Sequence, residues 1–229
     1  MEKKLKKFIV FPKKNIRYGE GGLRLKKIFK KPKFTIITVV LNNRLLLEKT
    51  IKSVFNQSFK NFEYIIIDGG SKDGSLEIIK KYQNKIDYWL SEKDDGIYDA
   101  FNKGLCLSRG NYIGIVNSDD TYRPNALKTI SKYIDTQKNL DFIFGSVKKR
   151  WGLLSGYRPW KIYYSWGFYT SHSTGFFIKR SSAEKLGYYN LKYRIHSDYD
   201  YFFRMIVKHK MKGRSTKKNE ITGDFRSGG

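Results

Sequence analysis

Between Phe34 and Gly145 the chain alternates five times between a short apolar run and a longer stretch with helical spacing. The runs are FTIITVVL, FEYIIID, IDYWL, YIGIV and DFIFG. They are near-continuously apolar, as expected of strands covered on both faces; a strand with one solvated face would alternate with polar residues. In the intervening stretches Leu47, Ile51, Val54 and Phe55 share one helical face, Leu76, Ile79 and Tyr82 a second, and Leu127, Ile130 and Ile134 a third. Residues 97–108 also have a helical pattern, ended near Gly110. Asp73 or Ser75 is placed to cap the second helix, and Asn125 to open the one after YIGIV. This order predicts an α/β domain whose mixed, mostly parallel sheet is flanked by helices. After Gly145 the pattern weakens. Residues 150–175 are rich in Trp, Tyr and Gly, and short helices are expected near 181–186 and 199–209.

The first 33 residues differ in kind. They hold 13 Lys and Arg against only Glu2 and Glu20, interrupted by FIVF and by Leu23, Leu25, Ile28 and Phe29 at helical spacing. We expect a basic N-terminal arm over 1–33, an α/β unit over 34–145, and a further unit with the C-terminal helices over 146–229. Apolar residues make up 40% of the 229, enough for a packed core. The formal charge of +25 asks for an anionic partner: nucleic acid, a phospholipid surface or a phosphorylated substrate. Cys106 is the sole cysteine, so no internal disulfide is possible, which fits a reducing cytosol, and its expected role is a small buried apolar residue. No apolar run approaches the roughly 20 residues a membrane span requires, and FIVF is too short for a signal-peptide core. A cytoplasmic protein is expected, soluble or held peripherally on the inner face of the cell membrane.

In an open parallel sheet, ligands bind beyond the carboxyl ends of the strands. Three of the first four strand ends carry acids and glycines: DGGSKDG (68–74), SEKDDGIYDAFNKG (91–104) and NSDDTY (117–122). In NSDD, Asp119 and Asp120 repel each other unless a cation lies beside them, and oxygen-only ligands favour Mg²⁺ or Mn²⁺. The plain alternative, a polar turn with Asp120 capping the next helix, is about as good on these residues alone. Asp68 is placed to accept a hydrogen bond from a base N–H, with Gly69 and Gly70 leaving room for a flat ring, whereas Asp73 reads better as a cap. Asp95 and Asn102, within the third strand end, are further candidate binding residues. In RIHSDYDYFFR, Asp198 is the candidate general base and Asp200 a helix-start carboxylate. His172 is a candidate phosphate contact, although a lone histidine is more often structural. No GxxxxGK[ST] loop, dinucleotide fingerprint or zinc spacing is present.

FTIITVVLNN, IIIDGGSKDGS, SEKDDGIYDAFNKG, GNYIGIVNSDD and HSDYD, in this order over residues 34–210, resemble the family 2 glycosyltransferases, closest to bacterial enzymes of surface polysaccharide and lipopolysaccharide synthesis. The resemblance implies a GT-A fold and an inverting single displacement from a nucleotide-sugar, by analogy a UDP-sugar, onto a glycan or lipid-linked acceptor. It implies that Val39 lies beside the base and Asp68 contacts it, that Asp119 and Asp120 hold ribose, diphosphate and Mn²⁺ or Mg²⁺, and that Asp198 is the base. Asn117 and Ser197 stand where relatives often have Asp and Glu, which lowers the charge beside the metal and leaves Asp200 as a rival to Asp198. GEGGLR at 19–24 resembles an N-terminal element of some relatives, so the arm is expected to fold toward the site. Related enzymes usually continue past the terminal GG.

Two other classes fit parts of the sequence. A nucleic-acid-binding protein would explain the charge and the aromatics, but not acidic strand ends. A nucleotidyltransferase shares an acidic metal pair, but LNNRL is not the Gly-rich basic loop expected after its first strand. An inactive scaffold of the same family is a third possibility. No nucleic-acid partner is expected.

Overall fold

A computed structural model describes residues 17–26, 31–137, 139–164 and 173–226. Strand β1 (Arg17–Gly21) is followed by β2 (Phe34–Val40), α1 (Arg44–Phe55), β3 (Phe62–Asp68), α2 (Ser75–Tyr82), β4 (Tyr88–Glu92), α3 (Ile97–Leu107) and β5 (Tyr112–Ile115). Next come β6 (Thr121–Tyr122), α4 (Ala126–Thr136), β7 (Phe142–Phe144), β8 (Ser146–Lys148), β9 (Leu153–Leu154), β10 (Phe176–Lys179), α5 (Arg180–Leu186), α6 (Ser197–Phe203), β11 (Gly213–Ser215) and β12 (Ile221–Asp224).

The main sheet has the order β1-β4-β3-β2-β5-β10-β7-β11. Its centre, β4-β3-β2-β5, is parallel throughout, and β10 runs antiparallel between β5 and β7. A smaller sheet, β6-β12-β8-β9, stands beside it. The expected mixed, mostly parallel α/β sheet is therefore present. All seven residues of β2 are buried, and one apolar cluster packs on each face of the sheet. That two-sided burial is why β2 carries no polar alternation.

Three expectations change. Residues 17–26, expected within a basic arm outside the core, join the sheet: β1 pairs with β4, and the Arg24 guanidinium forms an ion pair with buried Glu63. Residues 1–16 and 27–30 lie outside the described residues. The third strand begins two residues later than IDYWL suggests, and Ile86 is buried ahead of it. The helix expected over 199–209 is α6 followed by a π-helical turn, Arg204–Lys208. Its first side chain explains the widening: Arg204 donates to the Leu186 and Tyr188 carbonyls and pairs with Asp200 at 2.8 Å.

β10 and β11 come from the C-terminal third yet complete the same sheet as β2–β5. Among the described residues, no helix is long and apolar enough to cross a membrane.

Candidate active site

The chain runs β2, β3, β4 outward in one direction and then returns to lay β5 on the opposite side of β2. The carboxyl ends of β2 and β5 thus flank the point where strand order reverses, the place where open α/β sheets leave a crevice. A cavity of about 530 Å³ lies there, lined by Val39–Asn43, Leu46, Asp94, Ile97, Ala100, Asn117–Asp119 and Arg226.

Its walls are stitched together by side chains of the loops. The loop after β2 turns through Asn42 in a left-handed conformation (φ 50°). Asn is one of the few non-glycine residues that adopt it readily, so the absence of glycine from LNNRL does not prevent a tight turn. The Asn42 N–H donates to Ser71 Oγ (2.8 Å), and Lys72 N–H donates back to Asn42 Oδ1 (2.8 Å). Asn43 Nδ2 donates to Ser118 Oγ (3.0 Å). From α1, the Thr50 hydroxyl lies 2.9 Å from the Ser118 carbonyl and 2.7 Å from that of Asp120. The NSDD loop is therefore fixed against the first helix. Asp73 accepts from the N–H groups of Arg44 and Ser75, the capping role expected of it.

The acidic candidates separate. Val39 and Asp119 line the cavity. Asp120 does not: it is 1% exposed, its Oδ2 accepts from the Thr174 hydroxyl (2.6 Å) and its Oδ1 from the Arg226 N–H (3.1 Å). Its carboxylate pins two distant segments to the pocket. Asp68 is wholly buried, accepting from Ser91 Oγ (2.5 Å) and the Ser71 N–H, so it shapes the DGGS turn from inside. The carboxylate that lines the cavity on this side is Asp94, packed over Gly69. Burial raises its proton affinity, and the Asp99 and Asp68 carboxylates add to that against the opposing Gly96 N–H and Lys103. Asp95 is exposed and borders a second cavity. The Asn102 amide donates to the Tyr189 carbonyl (2.9 Å) and accepts from the Tyr189 N–H (2.8 Å), a clamp between α3 and the loop after α5. His172 lies outside the described residues.

The second cavity, about 550 Å³, is lined by Asp95, Gly96, Ile97, Tyr98, Leu191, Tyr193 and Arg194, and shares Ile97 with the first. At this end Asp198 Oδ1 accepts from the Tyr98 hydroxyl at 3.1 Å. Asp200 is engaged by Arg204, and among the described residues Asp198 has no ion-pair partner. Cys106 is half-buried, with its Sγ 2.7 Å from the Tyr188 hydroxyl, rather than simply a buried apolar residue.

The donors suit a hard cation in a restricted way. Asn117 Oδ1 is a buried carbonyl oxygen with no hydrogen-bond partner among the described residues, and Asp119 lines the same cavity. Among the described residues there is no group of three or more His, Cys, Asp and Glu side chains able to hold a metal. One carboxylate and one amide oxygen fit Mg²⁺ or Mn²⁺ only where a substrate's oxygens complete the shell.

The family model for glycosyl transferase family 2 matches residues 35–209. The chain belongs to glycosyl transferase family 2. Relatives include a PGL/p-HBAD biosynthesis glycosyltransferase of Mycobacterium bovis, 28% identical over 76% of this chain and 69% of that protein. A cholesterol galactosyltransferase of Borreliella burgdorferi is 35% identical over 46% of this chain and 30% of its own length. Among solved structures, S. aureus TarS superposes with a TM-score of 0.72 at 18% identity, over 85% of this chain and 36% of that one. A mannosyltransferase from Pyrobaculum calidifontis, solved with GDP-Man and Mn²⁺, gives 0.65 at 17% identity, over 85% and 57%. At these identities the likeness is one of fold, and it is the GT-A arrangement of a family 2 enzyme. This chain spans about a third of the TarS chain.

Two residues of the pocket escaped the sequence reading. Asp94 carries the same motif signal as Asp95, and only the turn decides which faces inward. Arg226, in the closing FRSGG, is the cavity's one cationic lining residue, and the Asp120 carboxylate holds its backbone in place.

Proposed function

We propose that this protein transfers a sugar from a nucleotide-sugar, by preference a UDP-sugar, to a hydroxyl of a glycan or lipid-linked acceptor, with inversion at the anomeric carbon. The observation that carries the reading is the cavity at the strand-order switch point, where Asp94, Asn117, Asp119 and Arg226 meet in a family 2 chain. TarS has been solved with UDP and with UDP-GlcNAc, which supports a uridine donor, and the Mn²⁺-containing mannosyltransferase supports a divalent cation.

In this reading the base rests against Val39 and the loop after β2, and the diphosphate lies between Asp119 and Arg226. Asp119 and Asn117 would hold a divalent cation there, and its charge would neutralise the departing diphosphate. Asp68 acts from beneath, by keeping the DGGS turn closed. The acceptor enters from the second cavity. Asp198 takes the proton of the acceptor hydroxyl as its oxygen attacks the anomeric carbon and the bond to the diphosphate breaks. Tyr98 donates to Asp198 and fixes its direction. The basic residues before the first strand, Lys3, Lys4, Lys6, Lys7, Lys13 and Lys14, bring the enzyme to an anionic membrane surface where a lipid-linked acceptor resides. A place in surface polysaccharide synthesis follows from that acceptor class.

The test is a panel of nucleotide-sugars and nucleotides with and without Mn²⁺, scored by thermal shift and by sugar release. UDP with Mn²⁺ is expected to stabilise the protein, and one UDP-sugar to be hydrolysed slowly without an acceptor. Stabilisation by GDP but not UDP would overturn the uridine assignment, and no response to any nucleotide would overturn the function.

A further inference from the structure

A third cavity, about 550 Å³, adjoins the donor pocket and shares Leu46, Asp119 and Arg226 with it. Around it stand Lys49 of α1, Lys148 at the end of β8, Lys149 and Arg150 of the turn after it, and Arg226. Among the described residues none of these five cations forms an ion pair. Two carboxylates border the cleft: Asp119, shared with the donor pocket, and Asp224, which is held by Arg123 at 2.6 Å. The basic turn is built into the smaller sheet. Lys149 N–H donates to the Gly152 carbonyl (3.0 Å), Phe225 N–H donates to the Lys148 carbonyl (2.8 Å), and β8 is paired on both sides. Gly152 turns the chain at φ 103°, a conformation that favours glycine.

The donor reading places the nucleotide-sugar in the first pocket, and this cleft, continuous with it through Leu46, Asp119 and Arg226, offers a separate concavity for an anion. Five cations lining one concavity set a strong positive potential, partly offset by Asp119 when no metal is bound. We propose that this cleft binds a phosphoryl group carried by the acceptor, so that the acceptor is a phosphate-bearing molecule anchored beside the donor diphosphate. The proposal rests on the donor reading of the first pocket. It adds the acceptor's chemical class, and a set of residues, Lys49 and Lys148–Arg150, that the transfer chemistry itself does not use.

The test compares the full chain with a Lys148→Gln/Lys149→Gln/Arg150→Gln variant, whose altered side chains lie outside the packed core. Each is saturated with UDP and Mg²⁺ and titrated with inorganic phosphate, followed by backbone amide chemical shifts. Phosphate is expected to shift residues 148–150 with UDP still bound, and the triple variant to bind it at least about tenfold more weakly while UDP affinity changes by less than about twofold. Equal phosphate binding by both proteins would overturn the proposal. A parallel fall in UDP affinity would also overturn it, by giving the cleft to the donor's diphosphate. Co-sedimentation with vesicles containing phosphatidylglycerol should be the same for both proteins. A variant that keeps phosphate binding but loses the vesicles would assign these cations to the bilayer surface instead. If the wild-type protein ignores UDP, the donor reading fails, and the phosphate titration without UDP still decides the cleft.

Discussion

Asp119 and Asp120 are neighbours in the chain, yet of the two only Asp119 lines the cavity. Asp119→Ala should abolish the Mn²⁺-dependent part of UDP binding in calorimetry while leaving the melting temperature near that of the wild type. Asp120→Ala should do the reverse at first order. It strands the buried Thr174 hydroxyl and frees the Arg226 backbone, a loss of about 1–3 kcal/mol in urea unfolding. Asp94 makes a pH-dependent prediction. Its proton affinity is raised in the folded protein, so the fold favours its neutral form. That preference is harmless below the carboxyl's unfolded pKa and becomes a cost as pH rises through the folded value. Asp94→Asn should therefore melt at a higher temperature than wild type at pH 7, and the difference should vanish near pH 3. A wild-type advantage at pH 7 would contradict the placement. Asp198→Asn should lower the transfer rate by roughly 10²–10⁴ with UDP affinity unchanged, as expected for loss of a general base. Near-normal turnover would remove Asp198 from that role.

Strand β1 and the turn after it matter more to the fold than their basic composition suggests. Arg24 is nearly buried against Glu63, whose other oxygen accepts from the Thr35 hydroxyl and the Arg109 N–H (2.6 Å). Arg24→Met leaves that carboxylate buried with one partner fewer, a change worth about 3–5 kcal/mol in chemical denaturation. The Tyr18 ring also fills the space a side chain at position 70 would need, so the strand reaches the DGGS loop. A vesicle-binding test of the basic arm should therefore delete residues 1–16 and not 1–33. The shorter deletion should keep the melting temperature and lose binding to anionic vesicles; deletion through Lys26 should destabilise the enzyme itself. Gly110 is a second such constraint. A methyl group there would run into the Phe34 and Thr35 backbone where β5 begins alongside β2, so the glycine permits close approach of the two strands.

At the scale of the whole molecule, the +25 charge divides among different tasks. Some of it is internal: Lys103, 1% exposed, sits between Glu92 and Asp99 and donates to the Lys93 carbonyl, holding the turn that presents Asp94. Some of it lines the phosphate cleft, and some precedes the first strand. The sequence by itself determined the α/β alternation, the family and the strand ends that carry chemistry, because burial on two faces and the conformational demands of turns are imposed locally and leave a periodic record. Only the tertiary structure decided which carboxylate at each strand end faces ligand. Asp119 and Asp94 face the cavity while Asp120 turns away, and what holds Asp120 there is Thr174 and Arg226, 54 and 106 residues further along the chain. The same holds for Asn102, claimed by Tyr189 across 87 residues. Side chains within a motif compete for partners that local pattern does not contain, so residue type marks the site and long-range hydrogen bonding assigns the roles.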